Sequence, residues 1–135
     1  MAGLIEELKQ EHAFITSLLD RARDSSISSA EAHRLLMSAQ DALLAHLKKE
    51  DLQLYPVLKK AALENHAIKG TVDFYMQDME EISNDAASFF ETYSRDDSPI
   101  DIEFARAFGK LFATFVRRIR SEEMTLYKIY EKLNP

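Results

Sequence analysis

Five side chains carry charge or a metal-binding lone pair where a packed helix calls for an apolar residue: His12, His46, Glu50, Arg118 and Glu122. His46 and Glu50 are four positions apart, as are Arg118 and Glu122, so on helices each pair projects from one face at one level. Imidazole and carboxylate converging from facing helices are the donors with which bundle interiors hold iron, manganese or zinc. A guanidinium has no lone pair and cannot ligate a metal, but its fork suits bidentate pairing with carboxylates. The same residues therefore admit two chemistries. In the first, Arg118 bridges Glu50 and Glu122 as the cation of a metal-free polar core, with His12 and His46 hydrogen-bonded nearby. In the second, His12, His46 and Glu50, with Glu122 beside them, hold a single metal ion. Left without a partner or an ion, such buried groups would cost several kcal/mol.

The elements that must position these residues are helices. Leu4, Leu8, His12, Ile15 and Leu19 share one face of a first helix that runs to about Arg23. SSISS breaks the chain, and Ser28 with Glu31 forms a capping box that opens the second. Its stripe reads Ala32, Leu35, Leu36, Ala39, Ala42, Leu43, His46, Glu50 and Leu54, and Pro56 is expected to kink or end it. His33 falls on the polar side and reads as exposed. ALENHAIKG is the expected connection, loosest at Gly70. The third helix carries Val72, Tyr75, Met79, Ile82, Ala86, Phe89 and Tyr93. SRDDSPID separates it from the fourth, with Ser98 as the expected N-cap, Pro99 at the first helical position and Asp101 in the first turn. The fourth presents Phe104, Phe108, Leu111, Phe115, Arg118, Glu122 and Leu126. Four helices with short connections predict an all-α, up-down-up-down four-helix bundle, with residues 1–135 as one domain.

Composition narrows the partners. Three glycines and three prolines in 135 residues are too few for the turns of an all-β fold. A net charge of −6 disfavours nucleic acid and anionic membranes. No apolar run approaches the roughly 20 residues of a membrane span, and the N-terminal MAGLIEELKQEH meets charge too early for a signal peptide. The absence of cysteine removes thiolate sites and disulfides and is compatible with a reducing cytoplasm, the expected location. A protein partner at the surface is the expectation that remains.

The chain also repeats itself. HLKKEDLQLYPVLKK from His46 aligns without gaps on RIRSEEMTLYKIYEK from Arg118, pairing Glu50 with Glu122 and Tyr55 with Tyr127. QEHAFI from Gln10 lies on QDMEEI from Gln77, pairing His12 with Met79. Two helical hairpins related by a pseudo-twofold axis are implied, and the core histidines belong to the first.

The H-x-x-x-E and LYP of His46–Pro56, the E-H-x-x-I of Glu11–Ile15 and the EE-x-x-LY of Glu122–Tyr127 resemble the hemerythrin-like (HHE cation-binding) domain over essentially the whole chain. The resemblance implies a four-helix bundle around a non-haem di-iron centre, in proteins that carry or sense oxygen, hold iron or respond to redox state or nitric oxide, and a binding or sensory module in place of an enzyme. It carries over His12, His46, Glu50 and Glu122 as ligand positions, with Glu123 a further candidate. It also marks two lost histidines. Met79, with Tyr75 one turn earlier, stands where the third helix should supply one, and Arg118 stands where the fourth should. An intact di-iron centre is therefore not expected; the expectation is either no metal or a single non-haem iron or other divalent ion, for which two histidines and one carboxylate are a recognised ligand set. Separately, His66-Ala-Ile-Lys69-Gly70-Thr71 resembles the signature of histidine phosphotransfer domains, in which His66 would accept a phosphoryl group.

Overall fold

The computed structural model describes residues 3–24, 26–93 and 99–134. Six α-helices and two π-helical turns form four rods among these residues. The first rod is α1 (Leu4–Ala22). The second joins α2 (Ser29–Lys49), a π turn (Glu50–Leu54) and α3 (Tyr55–Glu64). The third is α4 (His66–Tyr93), and the fourth joins α5 (Ile102–Ser121), a π turn (Glu122–Leu126) and α6 (Tyr127–Leu133). The architecture is the all-α four-helix bundle expected from the four apolar stripes.

The ends of the rods follow local chemistry. Ser28 Oγ accepts the Glu31 amide at 3.1 Å, so α2 opens on the expected cap. Ser28→Ala should lower stability by ~1 kcal/mol, about 4 °C in a thermal melt. An unchanged melting temperature would show that the cap contributes nothing here. Asp101 caps α5, its carboxylate accepting the Phe104 amide at 3.0 Å. The expected cap, Ser98, lies outside the described residues, while Pro99 and Ile100 precede the helix and are not part of it. An ionised side chain at the N-cap satisfies an orphan amide and meets the positive end of the helix dipole, which explains why α5 begins just after Asp101, the residue expected in its first turn.

Two further expectations are corrected. The connection between the second and third rods is one residue long. Asn65 donates its amide to the Ala61 carbonyl, closing α3, and accepts the Ala67 amide on its side chain at 2.9 Å, opening α4. Gly70 thus lies inside α4. Pro56 does not end its rod either. It sits in the first turn of α3, where no amide donor is needed. The irregularity precedes it: Tyr55 N–H donates to the Glu50 carbonyl, five residues back, and Tyr127 N–H does the same to Glu122. The second turn has Lys128 where the first has Pro56, so proline is not what makes it. Each π turn begins at an inward glutamate and lets Glu50, Leu54 and Tyr55, like Glu122, Leu126 and Tyr127, all reach the core.

The core is divided. One apolar cluster gathers Ile15, Leu19, Leu36, Phe89, Phe104 and Phe108, and another gathers Leu8, Leu54, Tyr55, Tyr75, Leu126 and Tyr127. The inward polar residues fall between them along every rod that carries them: His12 between Leu8 and Ile15, Glu50 between Leu43 and Leu54, Glu122 between Phe115 and Leu126. The polar layer is thus sealed above and below by hydrocarbon.

Candidate metal centre

His12, His46, Glu50, Arg118 and Glu122 are all buried, Glu50 completely. Each histidine is held from outside by a carboxylate. His12 Nδ1 donates to Glu123 Oε2 at 2.9 Å, and His46 Nδ1 donates to Glu11 Oε1 at 2.8 Å. Such outer bonds fix the tautomer and turn the other ring nitrogen inward. Both Nε2 atoms then face the interior, that of His46 toward Glu50 and that of His12 toward the Tyr127 hydroxyl and Glu122. His46 Nε2 lies 3.5 Å from Glu50 Oε1, and that oxygen has no hydrogen-bond partner. His12 Nε2 stands 3.1 Å from the Tyr127 hydroxyl, which also lies 2.9 Å from Glu50 Oε2. One hydroxyl proton cannot serve both. One donor atom each from His12, His46 and Glu50 lies within 4.8 Å of the others.

Electron pairs facing one another across a dry interior require a proton or a cation between them. Burial, aided by the neighbouring Glu122 charge, pushes the Glu50 carboxyl up to about 9, and burial raises Glu122 as well. Burial also pushes His12 down to about 4 against the raising effect of Glu123, so its imidazole is neutral at pH 7, the form that ligates. Burial keeps the Tyr127 proton in place far above neutrality.

These shifts give the metal-free protein a specific pH dependence. Folded Glu50 keeps its proton to about 9, against an ordinary value of 4.5. The folded state therefore binds more protons in that window, and stability falls as pH rises through it. His12 works oppositely, from about 4 to 6.5, and offsets the loss there. Above 6.5 only the carboxyl effect remains. Chelator-treated protein should lose stability from pH 6.5 to pH 9, Glu50 alone contributing at most ~1.4 kcal/mol per unit and Glu122 acting in the same direction. Urea midpoints at pH 6.5 and 8.5 test this, and a higher midpoint at 8.5 would contradict it.

Arg118 does not bridge Glu50 and Glu122. Its Nη1 donates to Asp78 at 2.8 Å, and its Nη2 donates to the Tyr55 hydroxyl and the Tyr75 carbonyl at 3.0 Å each. Its plane lies 4.8 Å from the Tyr75 ring centre. Only Nε approaches Glu122, at 3.5 Å from Oε1 and without a hydrogen bond. The repeat explains the outward turn. Asp78 occupies in the second hairpin the place of Glu11 in the first, so one carboxylate holds His46 while its counterpart holds Arg118. The same pairing stands in the alignment of QEHAFI with QDMEEI, in which Glu11 falls on Asp78 beside the His12–Met79 column.

The other candidates fall around this core. Glu122 Oε1 is 3.7 Å from His12 Nε2, which places it beside the three-residue group. Glu123 takes the outer nitrogen of His12 and is a positioning residue, not an inward donor. Glu11, unremarked as a site residue in the sequence, does the same for His46; burial opposes its ionisation, but hydrogen bonds from Lys49 and His46 hold it below the ordinary carboxylate range. Tyr75 turns its hydroxyl to Ser121, away from the ligand group. Met79 is half-buried and lines a cavity of about 20 Å³ with His46, Glu50, Phe115, Arg118 and Glu122. His66 is exposed at the first residue of α4, and Lys69 pairs with Asp73. His33 is 1% exposed with neither ring nitrogen bonded, against its expected place on the solvent side. Because α2 packs on both α1 and α4, it buries an arc wider than one stripe.

A four-helix bundle whose sealed interior layer offers histidine and carboxylate donors defines a cation-binding class of helical domain. The chain belongs to the hemerythrin HHE cation-binding domain family, whose model matches residues 3–130. No curated protein and no solved structure gives a significant match.

Proposed function

We propose that this domain binds one divalent metal ion, with iron the best-suited, through His12 Nε2, His46 Nε2 and Glu50, and that it serves as a binding or sensory module. The observation that carries this reading is the gathering, within 4.8 Å of one another, of one donor atom each from buried His12, His46 and Glu50, with one Glu50 oxygen unpartnered among the described residues. Glu122 is placed to contribute a further oxygen or to balance charge. Two histidines and a carboxylate suit non-haem iron, which when bound supplies redox chemistry and free coordination positions for a small ligand. The chain's own part is to keep that position dry, orient both imidazoles through Glu11 and Glu123, and leave room of about 20 Å³ beside the carboxylates.

The second half of the centre favours one ion over two. Met79 and Arg118 stand at the pseudo-symmetric positions of His12 and His46, and neither a guanidinium nor a charge-neutral thioether replaces imidazole on iron. Both terminal nitrogens of Arg118 are engaged by Asp78, Tyr55 and Tyr75, which leaves Glu50 free for a metal. Elemental analysis of protein purified after growth in iron-replete medium, with a visible spectrum, tests the reading. One metal per chain supports it. Two per chain would overturn the single-ion centre, and none would return the site to a metal-free polar core.

A further inference from the structure

Three sides of the buried centre differ in what they would present to an approaching cation. Toward α2, α4 and α5 the wall around the small cavity is Leu43, Leu47, Ile82, Ala86 and Phe115 with the Ser83 hydroxyl as its only uncharged polar group, so an ion would have to shed most of its water against hydrocarbon and would meet no carboxylate before the centre. At the edge between α1 and α2 the outer carboxylate of His46, Glu11, is covered by the Lys49 ammonium, which also lies 3.5 Å from Glu7. A cation meets a cation there. Between α1 and α5 an open groove of about 690 Å³ has His12 and Glu123 in its lining, with the hydroxyls of Thr16 and Ser17 alongside. Lys9 and Asp20 are its other charged groups, and Asp20 is paired with Arg23. Glu123 is 32% exposed and spends Oε2 on His12, leaving Oε1 without a protein partner.

We propose that the groove between α1 and α5 is the route by which the metal ion enters and leaves, with Glu123 as its first ligand and the His12 ring as the gate. The proposal rests on the single-metal reading above. Glu123 combines the two properties a relay needs: an oxygen open to water and a direct bond to a buried ligand. His12 separates groove from centre, so passage requires its ring to swing and its bond to Glu123 to break. Glu11 is nearly as exposed, at 29%, but both its oxygens are taken, one by His46 and one by the Lys49 ammonium, and the cavity wall offers no carboxylate.

The test is kinetic. Stopped-flow uptake of Co(II), and its release to excess chelator, are compared for the wild type, Ala13→Trp, which places an indole over the groove, and Ala45→Trp, on exposed α2 beside His46 but outside the groove. A covered route should slow uptake and release about equally, by about tenfold, with the equilibrium affinity unchanged, because a barrier that is not a ligand alters rates alone. Ala45→Trp should leave both rates as they are, and Glu123→Gln should slow uptake. Unchanged rates in Ala13→Trp, or equal slowing by both tryptophans, would overturn the route while leaving the metal site standing. A wild type that binds no Co(II) or Fe(II) would overturn the single-metal reading and the route together.

Discussion

Glu50→Gln is expected to weaken Fe(II) or Co(II) binding by more than ~100-fold while leaving the metal-free protein as stable as the wild type or more so. Loss of an outer hydrogen-bond partner of a ligand already costs 10–100-fold in typical sites, so loss of the only carboxylate among three donors should exceed that. The stability half follows from burial. Glu50 is wholly buried and its carboxyl is pushed up to about 9, so near neutrality the metal-free protein holds a neutral acid there. An amide of the same shape replaces it with no change of charge and offers an N–H to the His46 lone pair that now faces an oxygen 3.5 Å away. Chelator competition measures the affinity and urea unfolding the stability. A metal-free Gln variant weakened by more than ~1 kcal/mol would mean that Glu50 serves as an anion in an ion pair, the role first expected for it beside Arg118.

Arg118→Met should cost ~3 kcal/mol of stability, within the range seen when one member of a buried ion pair is removed. The groups left behind decide the size. Glu122 loses its nearest cation, and the Tyr55 hydroxyl and Tyr75 carbonyl lose a shared donor in a dry interior. Asp78 is 30% exposed and returns to water at little cost, which keeps the loss toward the lower end. Arg118→Lys should recover only part of it, since one ammonium cannot reach Asp78, Tyr55 and Tyr75 with the fixed fork of a guanidinium. Denaturant unfolding of the three proteins checks the order. A loss below ~1 kcal/mol in the methionine variant would make Arg118 a tolerated guest and not a structural cation.

Much of the fold was legible because amphipathic periodicity is a local property. Leu8, His12 and Ile15 fall on one face whatever the rest of the chain does, and the structure buries all three. His46 with Glu50, and Arg118 with Glu122, were legible as inward pairs for the same reason. Their partners were not. Whether Glu123 points at a metal or at the outer nitrogen of His12 depends on how α5 leans on α1, and nothing within either helix records that angle. The Pro56 expectation failed because a rule about isolated helices met a π turn that occurs with or without proline. His33 failed because exposure was judged from one stripe, while α2 has neighbours on two sides.

The sequence by itself determined four amphipathic rods, the polar residues they turn inward, and the doubling that pairs Glu50 with Glu122 and His12 with Met79. These follow from spacing along one chain. Only the tertiary structure decided that Arg118 reaches out to Asp78 and leaves one Glu50 oxygen unpartnered, and that Glu11 and Glu123 turn the Nε2 of both imidazoles inward. The reason is that a hydrogen bond is settled over a few tenths of an ångström and by direction, between side chains as many as 115 positions apart in the chain, whereas a stripe needs only the helical repeat.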